Sequence, residues 1–257
     1  MKNILITLSI LVVLLTACNA PINTQSVTAP EVTESQAEVN LTPTVETEGE
    51  IPSITGEDDA SIDPTALSTA IASIEVANLT DEEINSLQYM REEEKLARDV
   101  YLALYDIWGL QIFNNIASSE QTHTDAVKTL IDRYGITDNF SAEYGVFINT
   151  DLQALYDQLV EQGSQSIGNA IKVGAAIEEI DILDLEESLA KTDKVDIITV
   201  YKNLLKGSEN HLRAFVSTLE RQTGEVYAPQ YMSTESYNEV ISASSPTGNL
   251  GRGGRRN

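Results

Sequence analysis

The chain has 257 residues, and 42% of them are hydrophobic, which supports a folded core in at least part of the chain. Forty acidic residues stand against sixteen basic ones, so the formal net charge is -24. A charge of this size repels nucleic acids and anionic surfaces, so it excludes nucleic acid as a partner and suits metal cations or basic partners instead.

Residues 1–17 have the features of an export signal. Lys2 precedes an apolar run over 4–15 that is too short to span a bilayer, and small residues follow it. Leu15-Thr16-Ala17-Cys18 resembles the lipobox of bacterial lipoproteins, and Cys18 is the only cysteine of the chain. The resemblance implies acylation of Cys18 and an extracytoplasmic protein held in the cell envelope, at the membrane, by lipid. An ordinary signal peptide that ends near a cysteine is the alternative.

Residues 18–62 read as an acidic linker rich in Thr, Ser and Pro. The stretch 19–62 has nine acids, no Lys or Arg, and no apolar period. We expect a disordered tether, extended by charge repulsion, that holds the folded part away from the membrane. Asp63 and Pro64 suit the cap and first turn of a helix, so a short helix is expected within 63–79.

Clear helix signals begin at residue 80. Thr80 and Glu83 fit a capping box, which predicts a long helix that begins at Asp81 and ends before Gly109. A second long helix is expected over 111–134. The link between the two helices is so short that they must be antiparallel neighbours.

The second half of the predicted domain repeats this arrangement. Residues 136–165 are long enough to cross the bundle, and they carry a short helix of their own. A third long helix over 166–190 and a fourth that ends before Gly224 are joined by a tight turn near Thr192. Two hairpins and one long crossover between the second and third helices predict an all-α four-helix bundle over 80–223.

The chain from 224 to 257 is expected to be an irregular tail, and its end is rich in Gly and Arg. We expect plain disorder there. Contact of the basic tip with the chain's own linker, with a neighbouring copy in self-association, or with envelope polyanions is the alternative.

The apolar face of the second long helix contains a carboxylate and an imidazole. Glu120 and His123 lie in line with Ile116, Val127 and Leu130 at three- and four-residue spacing. A buried carboxylate must be protonated, ion-paired or metal-bound, because burying its charge unpaired costs several kcal/mol. The two side chains are one turn apart on one face, so they can reach the same cation.

The other three long helices carry similar groups. Glu94 interrupts an apolar seam of the first helix, but Glu93 is equally near that face, so the helical wheel leaves the choice open. The third helix has Glu178 and Asp181 one turn apart, and the fourth has His211. Taken singly, each group has a simpler explanation, such as a salt bridge or a core histidine bonded to a carbonyl. Together they predict a di-iron or di-manganese centre, because such centres take carboxylates and imidazoles from four facing helices.

Over about residues 80–222 the chain resembles the ferritin-like superfamily, and more closely its branch known as a domain of unknown function, DUF2202. The resemblance is carried by the segments Met90–Tyr101, Ser119–His123, Ile177–Asp181 and Gly207–Arg213. It implies a ferritin-like bundle, and it assigns no reaction.

The resemblance also implies a role for single residues. It implies Glu94 as a terminal ligand, Glu120 as a bridging ligand, and His123 as the ligand beside it. It implies Glu178 as the carboxylate of the third helix and His211 as the imidazole of the fourth. All of these are ligands to metal.

One position departs from the pattern of the family. Ser208 stands three residues before His211, where a second Glu-x-x-His pair would have its glutamate. The site is therefore one carboxylate short, and Asp181 is the better substitute, since Glu209 points about 100° away around the helix. Tyr101 is expected just outside the ligands.

We expect two divalent metal ions as cofactors. Iron is the first expectation, with manganese or zinc as alternatives, because oxygen and imidazole ligands accept all three. The expected function is an oxidoreductase that acts on oxygen, peroxide or ferrous iron outside the cytoplasm. A metal-binding or structural envelope lipoprotein without turnover is the alternative.

Overall fold

The computed structural model describes residues 52–56 and 60–243, which are all-α apart from one isolated bridge between Thr55 and Ile62. The expected export signal, Cys18, most of the tether and the Gly/Arg-rich end lie outside these residues. No helix within 52–56 or 60–243 is both long and apolar enough to cross a membrane. The helices of this part are α1 (Pro64–Ala72), α2 (Asp81–Trp108), α3 (Gln111–Tyr134), α4 (Thr150–Gly163), α5 (Ile167–Leu189), α6 (Val195–Thr223) and α7 (Thr234–Ser242).

Local signals explain where α2 and α3 begin and end. The hydroxyl of Thr80 accepts a hydrogen bond from the N–H of Glu83 at 3.2 Å, and the Glu83 carboxylate accepts one from the N–H of Thr80 at 2.8 Å. Gly109 and Gly135 end the two helices in the left-handed conformation, with φ of 64° and 65°. Both helices have the bounds that the sequence predicts.

The four longest helices pack together as a bundle. α2 packs against α3, and α5 packs against α6, each pair joined by a short turn. Contacts of α2 with α5 and of α3 with α6 close the ring. The crossover from α3 to α5 carries α4, which packs against both α2 and α5. The predicted all-α fold and the long crossover are therefore observed.

The hydrophobic core is divided into two clusters along the bundle. On α2, Leu87 and Met90 belong to one cluster, while Val100 and Leu104 belong to the other. Glu94 lies between the two clusters in the sequence of α2 and is itself buried. The polar groups at mid-bundle are thus enclosed by apolar layers, where electrostatic interactions are stronger than in water.

The end of the expected tether packs on the bundle. We call the residues 52–56 and 60–62 the strap. Ile54 is fully buried, its N–H donates to Oδ1 of Asn203 at 3.2 Å, and Ile62 is buried as well. The expectation of a disordered linker through residue 62 is therefore wrong for the strap. The strap has few apolar residues, and they lie within a long polar segment. Composition alone therefore does not indicate that they are buried.

The chain after residue 223 also differs from the expectation of an irregular tail. Helix α7 begins after Ser233, whose side chain caps it, and packs against α6. Tyr237 and Val240 are its buried residues. The helix has nine residues, so it contains too little of a 3.6-residue period to be recognised from the sequence.

Truncation of Ile54 tests whether the strap belongs to the fold. We expect Ile54→Ala to lower the free energy of unfolding of the full chain by about 2–4 kcal/mol, because it removes buried contacts and leaves a cavity. Val76 is the control, since its side chain is 51% exposed and Val76→Ala should change stability by about 0.5 kcal/mol or less. Urea unfolding followed by circular dichroism measures both. Equal small effects would show that the strap adds nothing to the fold.

Candidate metal centre

Two overlapping sets of donor atoms lie at the centre of the bundle. The first set is Glu94, Glu120 and His123, and the second is Glu120, Glu178 and His211. Within each set, the ligand atoms lie within 4.8 Å of one another. Helices α2, α3, α5 and α6 each contribute at least one donor. The structure therefore brings five of the six sequence-predicted ligands together, and Glu120 belongs to both sets.

Glu120 lies between the two imidazoles. Its Oε2 is 2.8 Å from Nδ1 of His123, and its Oε1 is 2.7 Å from Nδ1 of His211. Among the residues that the structure describes, neither oxygen has an aligned hydrogen-bond partner. The imidazole rings stack with their centroids 5.6 Å apart. Close donor atoms without hydrogen-bond alignment suit a carboxylate that bridges two cations.

The donors are buried without a basic side chain to neutralise them. Each of the five is at most 4% exposed. Within the described part of the chain, the ion pairs of their carboxylates are with the two imidazoles alone. The nearby cations are engaged elsewhere, because Arg98 pairs with Asp99 and Arg213 pairs with Glu209. The cluster therefore needs protons or metal ions to balance its charge.

The pKa values of the donors show this need. Burial raises the pKa of Glu94 to about 8, against the attraction of His123, and burial also raises the pKa of Glu178. Burial opposes the ionisation of Glu120, but the two imidazoles outweigh it and lower the pKa of Glu120 below its ordinary value. Burial is likewise outweighed at His211, whose pKa the carboxylates raise to about 9. Either protons on these groups or cations bound between them would balance the charge.

The strap reaches the centre through His123. Nε2 of His123 is 2.6 Å from the backbone carbonyl oxygen of Ala60. A carbonyl only accepts, so Nε2 carries the hydrogen of this bond, and Nδ1 is the nitrogen that faces the other donors. A second bond holds the strap nearby, since the N–H of Ile62 donates to Oγ1 of Thr122 at 2.7 Å. Sequence reasoning offered a bond to a carbonyl as the simpler role of a core histidine, but it could not identify Ala60, because a backbone carbonyl leaves no side-chain signal.

Gly207 of α6 provides the space for the contact. A Cβ built on Gly207 would lie 2.7 Å from Cε1 of His123 and 2.8 Å from the carbonyl oxygen of Ala60. Carbon atoms do not approach such neighbours so closely in packed proteins. The carbonyl, the imidazole and the backbone of α6 therefore fit together only because residue 207 has no side chain.

Asp181 lies beside the centre but outside both donor sets. Its Oδ2 accepts a short hydrogen bond from Oγ of Ser208, while its Oδ1 has no partner among the residues described. Burial and three neighbouring glutamates raise the pKa of Asp181 well above its ordinary value. The serine that replaces the expected glutamate thus holds another carboxyl group near that position.

Tyr101 lies next to a donor, where it was expected. Its hydroxyl donates to Oε1 of Glu178 at 2.5 Å. The rings of Phe113 and Phe215 pack against the tyrosine ring, with centroids at 6.3 and 5.2 Å. The aromatic contacts hold the hydroxyl in place, so it restricts the orientation of the Glu178 carboxylate.

The neighbours of Glu94 on α2 have other partners. Glu92 is buried and accepts from the N–H groups of Ile148 and Asn149, each at 2.7 Å, so it holds the loop before α4. Glu93, which the helical wheel did not distinguish from Glu94, is also buried but faces Asp184. The structure thus places Glu94 alone of the three in a donor set.

Replacement of Gly207 tests the contact between strap and imidazole. Gly207→Ala should lower the free energy of unfolding by about 1–3 kcal/mol and weaken metal binding, because the new Cβ must displace Ala60 or His123. Gly168→Ala in α5 is the control. Its Cβ would come no closer than 3.3 Å to the end of the flexible Glu225 side chain, so it should be neutral or stabilise by up to about 1 kcal/mol. Urea unfolding and calorimetric metal titration compare the two variants, and similar results for both would refute the contact.

Comparisons with known proteins place the chain in a family. The family model described as "Uncharacterized protein domain (DUF2202)" matches residues 83–244, which is more than half of the chain and includes α7. The chain is 54% identical over 179 residues to the uncharacterized protein MJ0754 of Methanocaldococcus jannaschii, over 69% of this chain and 96% of that protein. A crystal structure of the hypothetical protein MJ0754 matches with a TM-score of 0.65 at 54% identity and covers 67% of this chain and 98% of that one.

Proposed function

The chain belongs to the DUF2202 family, and we propose that it binds two divalent metal ions in a carboxylate centre and carries out redox chemistry on oxygen, peroxide or ferrous iron. The observation that carries the proposal is the pair of buried donor sets that share Glu120. Iron is the proposed metal, and manganese or zinc are the alternatives that the same ligands accept.

The residues present fit two such ions. Oε1 of Glu94, both oxygens of Glu120 and Nδ1 of His211 are buried without an aligned hydrogen-bond partner in the described part of the chain. Each donor set offers two carboxylates and one imidazole. Together with Asp181, the three glutamates carry four negative charges when ionised, which is the charge that two divalent cations neutralise.

The chain's own residues support the chemistry in several ways. Bound iron would supply the one-electron and oxygen chemistry that protein side chains lack. Glu120 belongs to both donor sets and would be a ligand to both ions, and the N–H of His123 toward Ala60 orients that imidazole. Tyr101 holds a proton at Oη, 2.5 Å from Oε1 of Glu178. Burial keeps bulk water away, so only small molecules suit this site as substrates.

Two further parts of the proposal concern fold and location. The long crossover, and donors from each of the four bundle helices, support a ferritin-like bundle as the finer description of the fold. The lipobox-like segment that ends at Cys18 supports an extracytoplasmic protein anchored to a membrane of the cell envelope by lipid.

A structural metal site is the second candidate function. The donors come from all four long helices, so bound cations would tie the helices together and add to the folding free energy without turnover. This candidate shares the metal centre with the first, and reactivity distinguishes them.

Ligand variants test the centre itself. Glu120→Gln should remove most of the bound metal, because Glu120 belongs to both sets. His123→Ala should remove the metal of the first set, in which His123 is the only imidazole. Glu186→Gln is the control, since Glu186 is an exposed acid on α5. Elemental analysis of purified, iron-loaded protein measures the metal content. Equal loss from all three variants would indicate nonspecific binding to an acidic protein.

Reaction with oxidants tests redox function. The protein loaded with ferrous iron without air should consume oxygen or peroxide and change its visible absorption, whereas Glu120→Gln should do neither beyond the rate of free iron. Stopped-flow absorption and an oxygen electrode measure the two effects. A loaded protein inert to both oxidants would favour the structural metal site.

A further inference from the structure

A second group of carboxyl groups lies beside the centre, between α2 and α5. Glu93 of α2 is within hydrogen-bonding reach of Asp184 of α5. Asp184 is only partly buried, and its Oδ2 accepts from the hydroxyl of Tyr89 at 3.2 Å. Asp181 is one helical turn before Asp184, so the two side chains lie on the same face of α5. We call Glu93, Asp181 and Asp184 the outer acids.

Two of the outer acids have unpartnered oxygen atoms, and both residues line one cavity. Glu93 and Asp181 are each 95% buried, and Oε2 of Glu93 and Oδ1 of Asp181 lack a hydrogen-bond partner among the described residues. Both residues line a cavity of about 10 Å³ whose other walls are mainly apolar, including Leu152 and Ile177. That volume is close to the minimum that holds one water molecule. A single water-sized species fits there, beside the carboxyl groups of Glu93 and Asp181.

Glu93 and Asp181 are buried close to each other beside this cavity. Buried carboxyl groups that lie close together cost free energy unless a proton or a cation lies between them. Two such groups at one cavity suit an occupant with positive charge.

The outer acids form a line from the surface to the donor sets. Asp184 is nearest to solvent, Glu93 is buried beside it, and Asp181 contacts Ser208 of α6. Asp181 also lies within electrostatic range of Glu94, among other donors of the centre. The donors themselves are almost fully buried, so cations must reach them through the protein.

We propose that the outer acids are an entry site for divalent cations, at which Asp184 and Glu93 bind the ion and Asp181 transfers it to the central donor sets. The inference rests on the proposed two-metal centre and gives that centre its supply route. The ligand class is a small divalent cation that loses its water shell in steps as carboxylate oxygens replace it.

The rate of metal loading tests the entry site. Metal-free full-length protein is mixed with Co²⁺ in the absence of air, and the rise of Co²⁺ absorption is followed by stopped flow. We expect Glu93→Gln and Asp184→Asn to slow loading about 10-fold or more, since clefts lined by one sign of charge raise association rates by about 10–10³. The final amount should remain two Co²⁺ per chain. Glu186→Gln removes the same charge from an exposed position of α5 and should load at the natural rate.

The outcomes separate the two proposals. Unchanged loading rates in both variants, with two Co²⁺ bound by the natural protein, would overturn the entry site and leave the metal centre intact. Failure of the natural protein to bind Co²⁺ at all would overturn the centre, and the entry site with it. If Glu93→Gln does not fold, Asp184→Asn carries the test alone, because Asp184 is only partly buried.

Discussion

The burial of Glu120 between two imidazoles is the constraint on which the rest of the structure depends. Its carboxylate can stay ionised in the core only while positive charge lies close to both of its oxygens. This requires α3 and α6 to present His123 and His211 at the same level of the bundle. The apolar clusters on either side keep water out, which strengthens the attraction that holds the group together. The positions of the helix ends and hairpins determine that both imidazoles lie at the same height along the bundle.

Much of the bundle could be predicted because its signals are local. The capping box at Thr80 and Glu83 lies within one turn, and a glycine with positive φ marks the end of α2. Glu120 and His123 could be identified because they interrupt an apolar stripe with helical spacing. Such a stripe is normally buried in the core, so polar residues within it need a separate explanation. Such a break is visible without any knowledge of the partner helices.

The remaining features depend on contacts between distant parts of the chain. The helical wheel could not separate Glu93 from Glu94, because the difference lies in their partners on other helices. Glu93 meets Asp184 of α5, whereas Glu94 meets Glu120 and His123 of α3. Composition assigns the strap to the tether, because the buried Ile54 and Ile62 do not alter the composition of a long acidic window. The bond from His123 to Ala60 joins residues 63 positions apart and ends on a backbone atom that every residue has. Neither a histidine nor an alanine in the sequence indicates that this bond forms.

That bond bears on where the functional unit of this protein begins. The family match starts at residue 83, whereas the acceptor that orients one imidazole of the donor sets comes from the strap, at residue 60. A recombinant fragment cut at the family boundary would retain every side chain of the donor sets and lose the partner that selects the tautomer of His123. Any relative without an equivalent segment has to satisfy that nitrogen with another acceptor or with water. The domain that the family match covers and the candidate metal site therefore have different borders along the chain.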